Sequence, residues 1–400
     1  MTLSSASDAA GESGAVGPVV VYGVDTEPLA RTSRHLLTHQ TEQVVDGLGL
    51  LVENLGAERG VLCLPAEESD LQARAAAALK ERENLKLMHF EEIALLRPGA
   101  VARPESLLQL SEAAAGRPPT STYVSCVGEV REPGLLRVPL GTALREVIAA
   151  CGGPAIEHWV LLIGGVLTGE IERDLDRPVD GDTRSLLLLP AEHPLVAARS
   201  RSLAQILNLA GAVCSGCGFC TSYCPAALDG EDISPHRIMR QLSMGLTEPE
   251  EILKGALACR ECGVCEAVCV MSLSPWRLNR VLKQRLQPEL PDRLPAMSTH
   301  LAAAAAAGRR FPESWYLARL GLESYGSREF NFRGELDSRK IELELPPGSR
   351  LRVARGDAVK RAEPVADTGD ERTLHAGING YVLVAEEQRL IIATEKGEIR

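Results

Sequence analysis

The stretch CSGCGFCTSYCP, residues 214–225, and its counterpart CRECGVCEAVC, residues 259–269, decide the fold of the middle of this chain. Each stretch places three cysteines two residues apart and a fourth cysteine three residues further on. Bacterial-type iron–sulfur proteins use this spacing, and in their two-cluster forms the fourth cysteine ligates the other cluster. The two stretches therefore predict two [4Fe–4S] clusters.

The spacing also predicts how the eight ligands are shared. We expect cluster A to be held by Cys214, Cys217, Cys220 and Cys269. Cluster B is expected to be held by Cys259, Cys262, Cys265 and Cys224. The glycines inside the stretches let backbone N–H groups approach the sulfurs, where hydrogen bonds help to set the reduction potential.

Two zinc sites with four thiolates each are the alternative interpretation. Zinc modules commonly present two widely separated CxxC pairs, and a third cysteine at the same short spacing is not needed for zinc. Attachment of haem c would require CxxCH, and Gly218 stands where the histidine would be. The repeated pattern favours iron–sulfur clusters over both.

Composition limits the partners and the compartment. The 400 residues carry a net charge of -11, which argues against nucleic acid or an anionic membrane as the main partner. No apolar stretch is long enough to span a bilayer, and the first eighteen residues lack the pattern of a secretory signal. We therefore predict a cytoplasmic protein whose cysteines bind metal and form no disulfides.

The predicted fold class is multidomain α+β, with the modules in a fixed order. They are a disordered tail (1–18), an α/β Rossmann-like domain (19–118), a β-grasp domain (119–198), an α-helical dicluster ferredoxin domain (199–290), a helical linker (291–335) and a C-terminal all-β domain (336–400).

Local patterns support these modules. VVVY, GVLCLP and LKLMHF read as strands joined by helices, which implies a parallel sheet. The β-grasp helix is expected to be capped by Thr142, and Asn379-Gly380 is expected to turn a hairpin. Three further cysteines lie in apolar contexts and are interpreted as buried thiols, namely Cys63, Cys126 and Cys151. His158 and His236 are interpreted as structural or surface residues, and Met271 as packing.

With the modules in place, the chain resembles one flavoprotein superfamily. Its members include the NADH-binding subunit of respiratory complex I, the C subunit of Rnf electron-transport complexes, and the cobalamin-reductase-type iron–sulfur flavoprotein of bacterial microcompartments. The similarity is carried by GVDTEP (23–28), by VGEVREPGLLRVPLGTALREVI with GGVLTG, and by the cysteine stretches. RGDAVKRAEPVA and HAGINGYV resemble a biotinyl/lipoyl-type barrel-sandwich hybrid, placed last as in the microcompartment protein.

The resemblance implies a soluble-ligand-binding (SLBB) β-grasp domain and a C-terminal hybrid that has a docking or structural role. A carrier would need a lysine at the Ile378-Asn379-Gly380 tip, which has none. The family holds FMN, and NADH where it is used, with a glycine-rich loop before the first strand. This chain has no such loop, since phosphate binding needs closely spaced glycines and only isolated ones precede Val19. We therefore predict that it binds no FMN.

Three functions stay open on the sequence. The first is an electron-transfer protein that relays single electrons between a flavoprotein donor and a low-potential acceptor, such as a corrinoid-dependent protein. The second is an oxidoreductase enzyme, an FMN-dependent NADH:acceptor or cobalamin reductase. The third is a module that binds a corrinoid or another ligand. Residence inside a microcompartment, with shell or enzyme partners, or at the periphery of a membrane complex is implied by the resemblance alone.

Overall fold

The structure, a computed structural model, describes residues 17–90, 99–248, 250–286, 311–369 and 372–395. The chain divides into two compact units. The first comprises the residues up to Gly164, with 172–188 and 329–400, and the second comprises 165–171 and 189–328. The tail predicted for 1–18 lies almost wholly outside the described residues, as do parts of the two predicted linker regions. Among the described residues, none of the helices is long and apolar enough to cross a membrane.

The first unit begins with the predicted parallel sheet. Its strands run in the order β3-β2-β1-β4. They are β1 (Val19–Tyr22), β2 (Gly60–Leu64), β3 (Leu85–His89) and β4 (Ala100–Ala102). The helices are α1 (Thr32–His39), α2 (Thr41–Leu55), α3 (Ser69–Leu79) and α4 (Pro104–Ala114). The three predicted strands are confirmed. Strand β4 and helix α1 were not predicted, because three residues of AVA and the polar surface of TSRHLLTH carry little periodic signal.

Helix α2 packs directly on α4 because Gly47 has no side chain. A Cβ added at Gly47 would overlap the carbonyl oxygen of Leu107 in α4. Gly49 lies in the same helix, and a Cβ there would come no nearer than 4.0 Å to the Leu85 side chain. Alanine substitutions at Gly47 and Gly49 can therefore be compared to separate the effect on packing from the effect on helix propensity.

We expect Gly47→Ala to destabilise the protein by about 1–3 kcal/mol, since overpacking outweighs the better helix propensity of alanine. The matched control Gly49→Ala is expected to stabilise it by up to about 1 kcal/mol. Chemical denaturation followed by circular dichroism measures both. Equal shifts for the two variants would contradict this account of the α2–α4 contact.

Two carboxyl groups are buried at the carboxyl edge of this sheet. Asp25 follows β1 and accepts hydrogen bonds from the Ser33 N–H at 3.0 and 3.2 Å. Glu105 lies in the first turn of α4, with a side chain only 13% exposed, and Arg184 Nε lies 3.4 Å from it. Burial raises the pKa of Asp25, and burial together with repulsion from Asp25 raises the pKa of Glu105 to about 8.

The raised pKa of Glu105 makes stability depend on pH. Its unfolded value is near 4.5, so the folded protein holds this proton at a pH where the unfolded chain releases it. The stability contributed by the group is complete below pH 4.5 and is lost as pH rises towards 8. Relative to the parent, Glu105→Gln should therefore gain about 1 kcal/mol or more between about pH 5 and pH 8. Denaturant unfolding at several pH values measures this, with exposed Glu53→Gln as the control; parallel curves for Glu105→Gln and the parent would refute it.

A mixed sheet follows in the order β10-β6-β5-β9-β7-β8. The strands are β5 (Ser121–Gly128), β6 (Gly134–Pro139), β7 (Trp159–Ile163), β8 (Glu170–Glu172), β9 (Ser185–Pro190) and β10 (Asn331–Glu335), and helix α5 spans Leu144–Ala150. Strand β5 is buried along its whole length and pairs antiparallel with β6 and parallel with β9. The predicted strands and helix are present. Strand β10 corrects the predicted linker, which was expected to be helical throughout.

Two details of this region differ from or complete the predictions. The α5 N-cap is Ala143, and the Thr142 hydroxyl instead donates to the Pro139 carbonyl at 2.8 Å, so Thr142 is not the cap. All three cysteines outside the motifs are fully buried, as predicted. Cys126 and Cys151 are hydrogen-bonded to each other, which raises the pKa of Cys126 and lowers that of Cys151.

The C-terminal part of the first unit forms two small antiparallel sheets around one apolar core. One sheet has the order β11-β17-β16-β13 and the other β12-β14-β15. The strands are β11 (Lys340–Glu344), β12 (Arg350–Leu351), β13 (Ala358–Val359), β14 (Pro364–Asp367), β15 (Thr373–His375), β16 (Gly380–Glu386) and β17 (Arg389–Ala393).

The prediction of a hairpin turn at Asn379-Gly380 is wrong. The strand before it pairs with β14 and the strand after it pairs with β17 and β13, so the chain crosses between sheets here. The Asn379 side chain accepts a hydrogen bond from the Arg361 N–H at 2.8 Å. Burial of Ile378 at 8% exposure, and not turn chemistry, explains why the segment does not fold back. The hairpin in this region joins β16 to β17.

The second unit is helical, as predicted for the cysteine region. Its helices are α6 (Pro194–Arg199), α7 (Leu203–Val213), α8 (Phe219–Ser222), α9 (Pro225–Leu228), α10 (Pro235–Ser243), α11 (Glu250–Lys254), a 3-10 turn (Gly255–Ala258), α12 (Val264–Ala267), α13 (Pro275–Leu286), α14 (Glu313–Leu320) and α15 (Glu323–Gly326). A capping box formed by Ser202 and Gln205 starts α7, which leads directly into the first cysteine motif.

Candidate iron–sulfur centres

Two cavities in the second unit gather the eight motif cysteines. The first is lined by Cys214, Cys217, Cys220 and Cys269. The second is lined by Cys224, Cys259, Cys262 and Cys265. Each cavity thus contains three cysteines of one motif and the last cysteine of the other. We call them cavity A and cavity B.

The local backbone explains why these short motifs wrap around a cavity. Gly218 and Gly263 precede the one-turn helices α8 and α12 and have φ angles of 78° and 74°. This left-handed conformation is readily available to glycine and turns the chain sharply between successive cysteines. Helices α8 and α12 pack against each other, which brings the segments of Cys220 and Cys265 together. The two motifs are therefore arranged as a pair, with equivalent turns at equivalent positions.

Hydrogen-bond donors point at several of the sulfurs. The Leu273 N–H lies 3.5 Å from Cys269 Sγ, and the Glu261 N–H lies 3.4 Å from Cys259 Sγ. The Asn279 amide, in α13, lies 3.7 Å from the same Cys259 sulfur and is almost fully buried. Such donors stabilise thiolates and tune the potential of a bound cluster. Asn279 was not recognised from the sequence, because it lies ten residues beyond Cys269, in a helix that no motif includes.

Three of the buried or half-buried cysteines are not suited to ionise on their own. Burial raises the pKa of Cys220 to about 12, with repulsion from Cys269, Cys217 and Cys214 adding to it. Burial likewise raises the pKa of Cys224 to about 11 and that of Cys265 well above its ordinary value. Thiolates in such a place require a cationic metal centre beside them. The donor set and its surroundings therefore fit an iron–sulfur cluster in each cavity.

The described side chains do not form a single-ion site as they are placed. In the described part of the chain, no three His, Cys, Asp or Glu side chains converge as they would around one metal ion. Tetrahedral zinc would hold four sulfurs at about 2.3 Å from one centre, whereas a four-iron cluster takes its four cysteines at separate corners. The repeated spacing of three cysteines two residues apart is the reason to prefer clusters over zinc.

A row of aromatic residues lies in the second unit, beside the cysteine segments. The rings of Tyr223, Phe311 and Trp315 stack in sequence, with centroids 4.7 and 3.7 Å apart. Tyr316 continues this row, and its pKa is raised to about 12 by burial and by the nearby Cys262. Tyr223 precedes Cys224 directly in the chain, so the row adjoins the cysteines of cavity B at two points. Helix α14, which was predicted only as part of the linker, supplies Trp315 and Tyr316 to this row. It also supplies Arg319, whose side chain donates a hydrogen bond to the Cys269 carbonyl at 2.8 Å.

A buried ion pair supports cavity B. Arg199, at the end of α6, pairs with Glu266, which lies between Cys265 and Cys269. Arg199 also donates to the carbonyls of Val166 and Leu167, the latter at 2.7 Å. The Trp276 indole N–H, in turn, donates to Glu266 at 2.6 Å. The sequence alone carried no signal for this network, because its members lie on segments far apart in the chain.

The two histidines and Met271 are placed as follows. His236 lines cavity A, and its Nδ1 lies 2.7 Å from the Thr221 hydroxyl. Burial, with the positive charges of Arg237 and Arg240, lowers its pKa. His158 is exposed, in agreement with the prediction of a surface residue. Met271 was expected to pack inside but is 41% exposed at the mouth of cavity A, because the chain leaves the site at Cys269.

Comparison with known proteins agrees with this geometry. Residues 213–274 match the family model described as a 4Fe-4S dicluster domain, and residues 123–169 match the SLBB domain. The chain therefore carries two [4Fe–4S] clusters.

The relatives named cobalamin reductase match almost the whole chain. The chain is 28% identical to the cobalamin reductase PduS of Salmonella typhimurium, and the match covers 93% of this chain and 89% of the relative. It is 26% identical to PduS of Citrobacter freundii, over 94% and 90%. A third relative, from the Na(+)-translocating ferredoxin:NAD(+) oxidoreductase complex of Acetobacterium woodii, is the C subunit of that complex. The identity there is 25%, over 54% of this chain and 52% of the relative.

These relatives confirm the resemblance inferred from the module order. This chain is an electron-transfer protein. The relatives also support its classification as an oxidoreductase. A chain in the structure of an NAD+-reducing [NiFe]-hydrogenase matches 75% of this chain over 62% of its own length, with 19% identity and a TM-score of 0.42. This similarity is too low to support a functional statement.

Proposed function

We propose that this protein relays single electrons between a flavoprotein donor and a low-potential acceptor through clusters bound by the crossed cysteine sets. When bound, the clusters supply one-electron redox chemistry. A cluster in cavity A would be held by Cys214, Cys217, Cys220 and Cys269. A cluster in cavity B would be held by Cys224, Cys259, Cys262 and Cys265. The single observation that carries the proposal is the composition of the two cavities, since each contains three cysteines of one motif and one of the other.

The residues around the cavities have roles that fit a relay. Packing of α8 on α12 brings the two binding motifs together. Trp276 lines cavity B and Tyr316 lies near Cys262, so both would limit the access of water to a cluster there. Backbone N–H groups and the Asn279 amide donate to the sulfurs and favour the more negative charge of a reduced centre.

The relatives' names supply candidate partners and places. A corrinoid acceptor is supported by the two relatives named cobalamin reductase, and a ferredoxin or nicotinamide-linked chain by the relative from the Na(+)-translocating complex. We propose the corrinoid-linked role, because those two relatives match the chain over more than nine-tenths of its length. Residence in a bacterial microcompartment, or at the periphery of a membrane complex, is the location that the sequence resemblance implies.

Anaerobic reconstitution of the full chain tests the relay. We expect iron and sulfide at about eight each per chain, by the four-iron composition of each cluster. Electron paramagnetic resonance of the reduced protein should show two interacting centres, and ferricyanide should reoxidise both. A preparation that contains zinc and no sulfide would refute the proposal, and so would clusters that cannot be cycled.

A second candidate is a reductase that itself binds FMN and oxidises NADH, and the full-length match to proteins named cobalamin reductase favours it. It predicts FMN released by acid from the holoprotein and bleaching of the cluster absorbance by NADH. We propose that neither occurs, because closely spaced glycines do not precede Val19. The SLBB match also allows a ligand-binding role, and equilibrium dialysis against cobalamin tests it.

A further inference from the structure

Exposed apolar side chains of the second unit collect at one place. In the described part of this unit, the large apolar residues that are strongly exposed are Phe219, Met244, Leu246, Val270 and Met271, at 41–57%. Phe219, Val270 and Met271 line the mouth of cavity A. Met244 and Leu246 line a groove beside it. An exposed apolar patch at one site of a soluble protein marks an interaction surface.

The groove adjoins cavity A directly. Ser215, Gly216 and His236 line both, so a molecule in the groove would lie beside the loop that carries Cys214 and Cys217. Cys217 is itself exposed. At cavity B, by contrast, Cys224, Cys259 and Cys265 are only 7–8% exposed, and Cys262 is half-buried. An electron can therefore leave or enter at cavity A over a shorter path than at cavity B.

The groove carries positive charge on an acidic protein. Arg237 is exposed and Arg240 half-buried in it, and within the described residues neither forms an ion pair. Glu248 is the carboxylate among the residues lining the groove, and it accepts a hydrogen bond from the Glu250 N–H at 3.2 Å. The chain as a whole has a net charge of -11, so these arginines are a local exception.

We propose that these five apolar side chains, with Arg237 and Arg240, form the docking surface for an electron-transfer protein that has an apolar centre and an acidic rim. We call this surface the cluster A face. The proposal rests on the relay function and adds the entry or exit point and the charge of the partner. Transient redox complexes bury little area, under about 1,200 Å², so a small apolar patch steered by two charges is sufficient. One electron crosses the interface, and no bond or proton is transferred.

Two probes with the same haem and opposite surface charge test this surface. Native cytochrome c is basic, and fully succinylated cytochrome c carries carboxylates in place of its lysine amines. The reconstituted full chain is reduced and mixed with each oxidised probe, and stopped-flow absorbance gives the second-order rate constant. Reduction of the succinylated probe by the parent protein should slow as ionic strength rises, because salt screens the attraction.

Variants then locate the contact. Arg237→Glu should slow reduction of the succinylated probe at least about fivefold at low ionic strength and should speed reduction of the native probe. Arg355→Glu makes the same change in net charge at an exposed site of the first unit, and should change both rates little. Leu246→Ser should slow the succinylated probe about twofold, whereas Val101→Ser, at an exposed apolar residue in β4, should have no effect.

The outcomes separate this proposal from the relay itself. Equal rates for Arg237→Glu and Arg355→Glu would overturn the docking surface, provided that the resonance spectra of the reduced clusters are unchanged. A self-associated parent that becomes monomeric in Leu246→Ser would also overturn it and would assign the face to a second copy of the chain. Reduced clusters that ferricyanide cannot reoxidise would contradict the relay function and not the docking surface alone.

Discussion

A chain carrying both Cys217→Ser and Cys269→Ser is expected to keep one intact cluster, with about four irons and four sulfides. Both substitutions fall on cavity A when the ligands are crossed, so cavity B keeps all four of its cysteines. If each motif instead held its own cluster, the same pair would damage both. Iron and sulfide analysis after anaerobic reconstitution therefore distinguishes the two arrangements in one measurement.

The reciprocal pair provides the matched control. Cys217→Ser with Cys224→Ser affects both cavities in the crossed arrangement and should leave no intact cluster. It affects a single motif, and so would spare one cluster, in the uncrossed arrangement. The spectrum of the single variant Cys224→Ser should match that of Cys262→Ser, and Cys269→Ser should match Cys217→Ser. The opposite matching would disprove crossed ligation.

Replacing Arg199 by methionine is expected to lower stability by about 3–5 kcal/mol, because it leaves the Glu266 carboxylate buried without its partner. The midpoint of thermal unfolding should fall by on the order of 10 °C at a fixed scan rate. Cluster absorbance and circular dichroism are recorded together. Loss of cluster B should come first, since Glu266 follows Cys265 directly and fixes the backbone of α12.

Two further variants show whether the unpaired charge is the cause. Arg199→Met combined with Glu266→Gln should recover much of the lost stability, because the amide is neutral and its oxygen still accepts from Trp276. Lys254→Met removes an exposed partner of Glu250 in the same unit and should cost less than about 1 kcal/mol. An Arg199→Met protein as stable as Lys254→Met would disprove a structural role for the buried pair.

Sequence reasoning worked best where a short pattern has one physical meaning. A buried strand such as Gly60–Leu64 and an amphipathic helix such as Thr41–Leu55 were found because their periodicity reflects burial. The Asn379-Gly380 prediction failed because that dipeptide indicates a hairpin only when the flanking strands pair with each other. Here the neighbouring strands pair in different sheets, and burial of Ile378 holds the chain on its crossing path.

By itself, the sequence determined the chemistry of the protein: eight cysteines in two equal motifs predict two clusters, since the spacing of the ligands is local to each loop. Tertiary structure alone decided what surrounds them. The Arg199–Glu266 pair, the Asn279 amide and the α14 aromatics come from distant segments and have no common motif. Only folding shows that cavity A opens to an apolar, positively charged face while three of the four cysteines of cavity B are buried, because exposure depends on which helices cover a site.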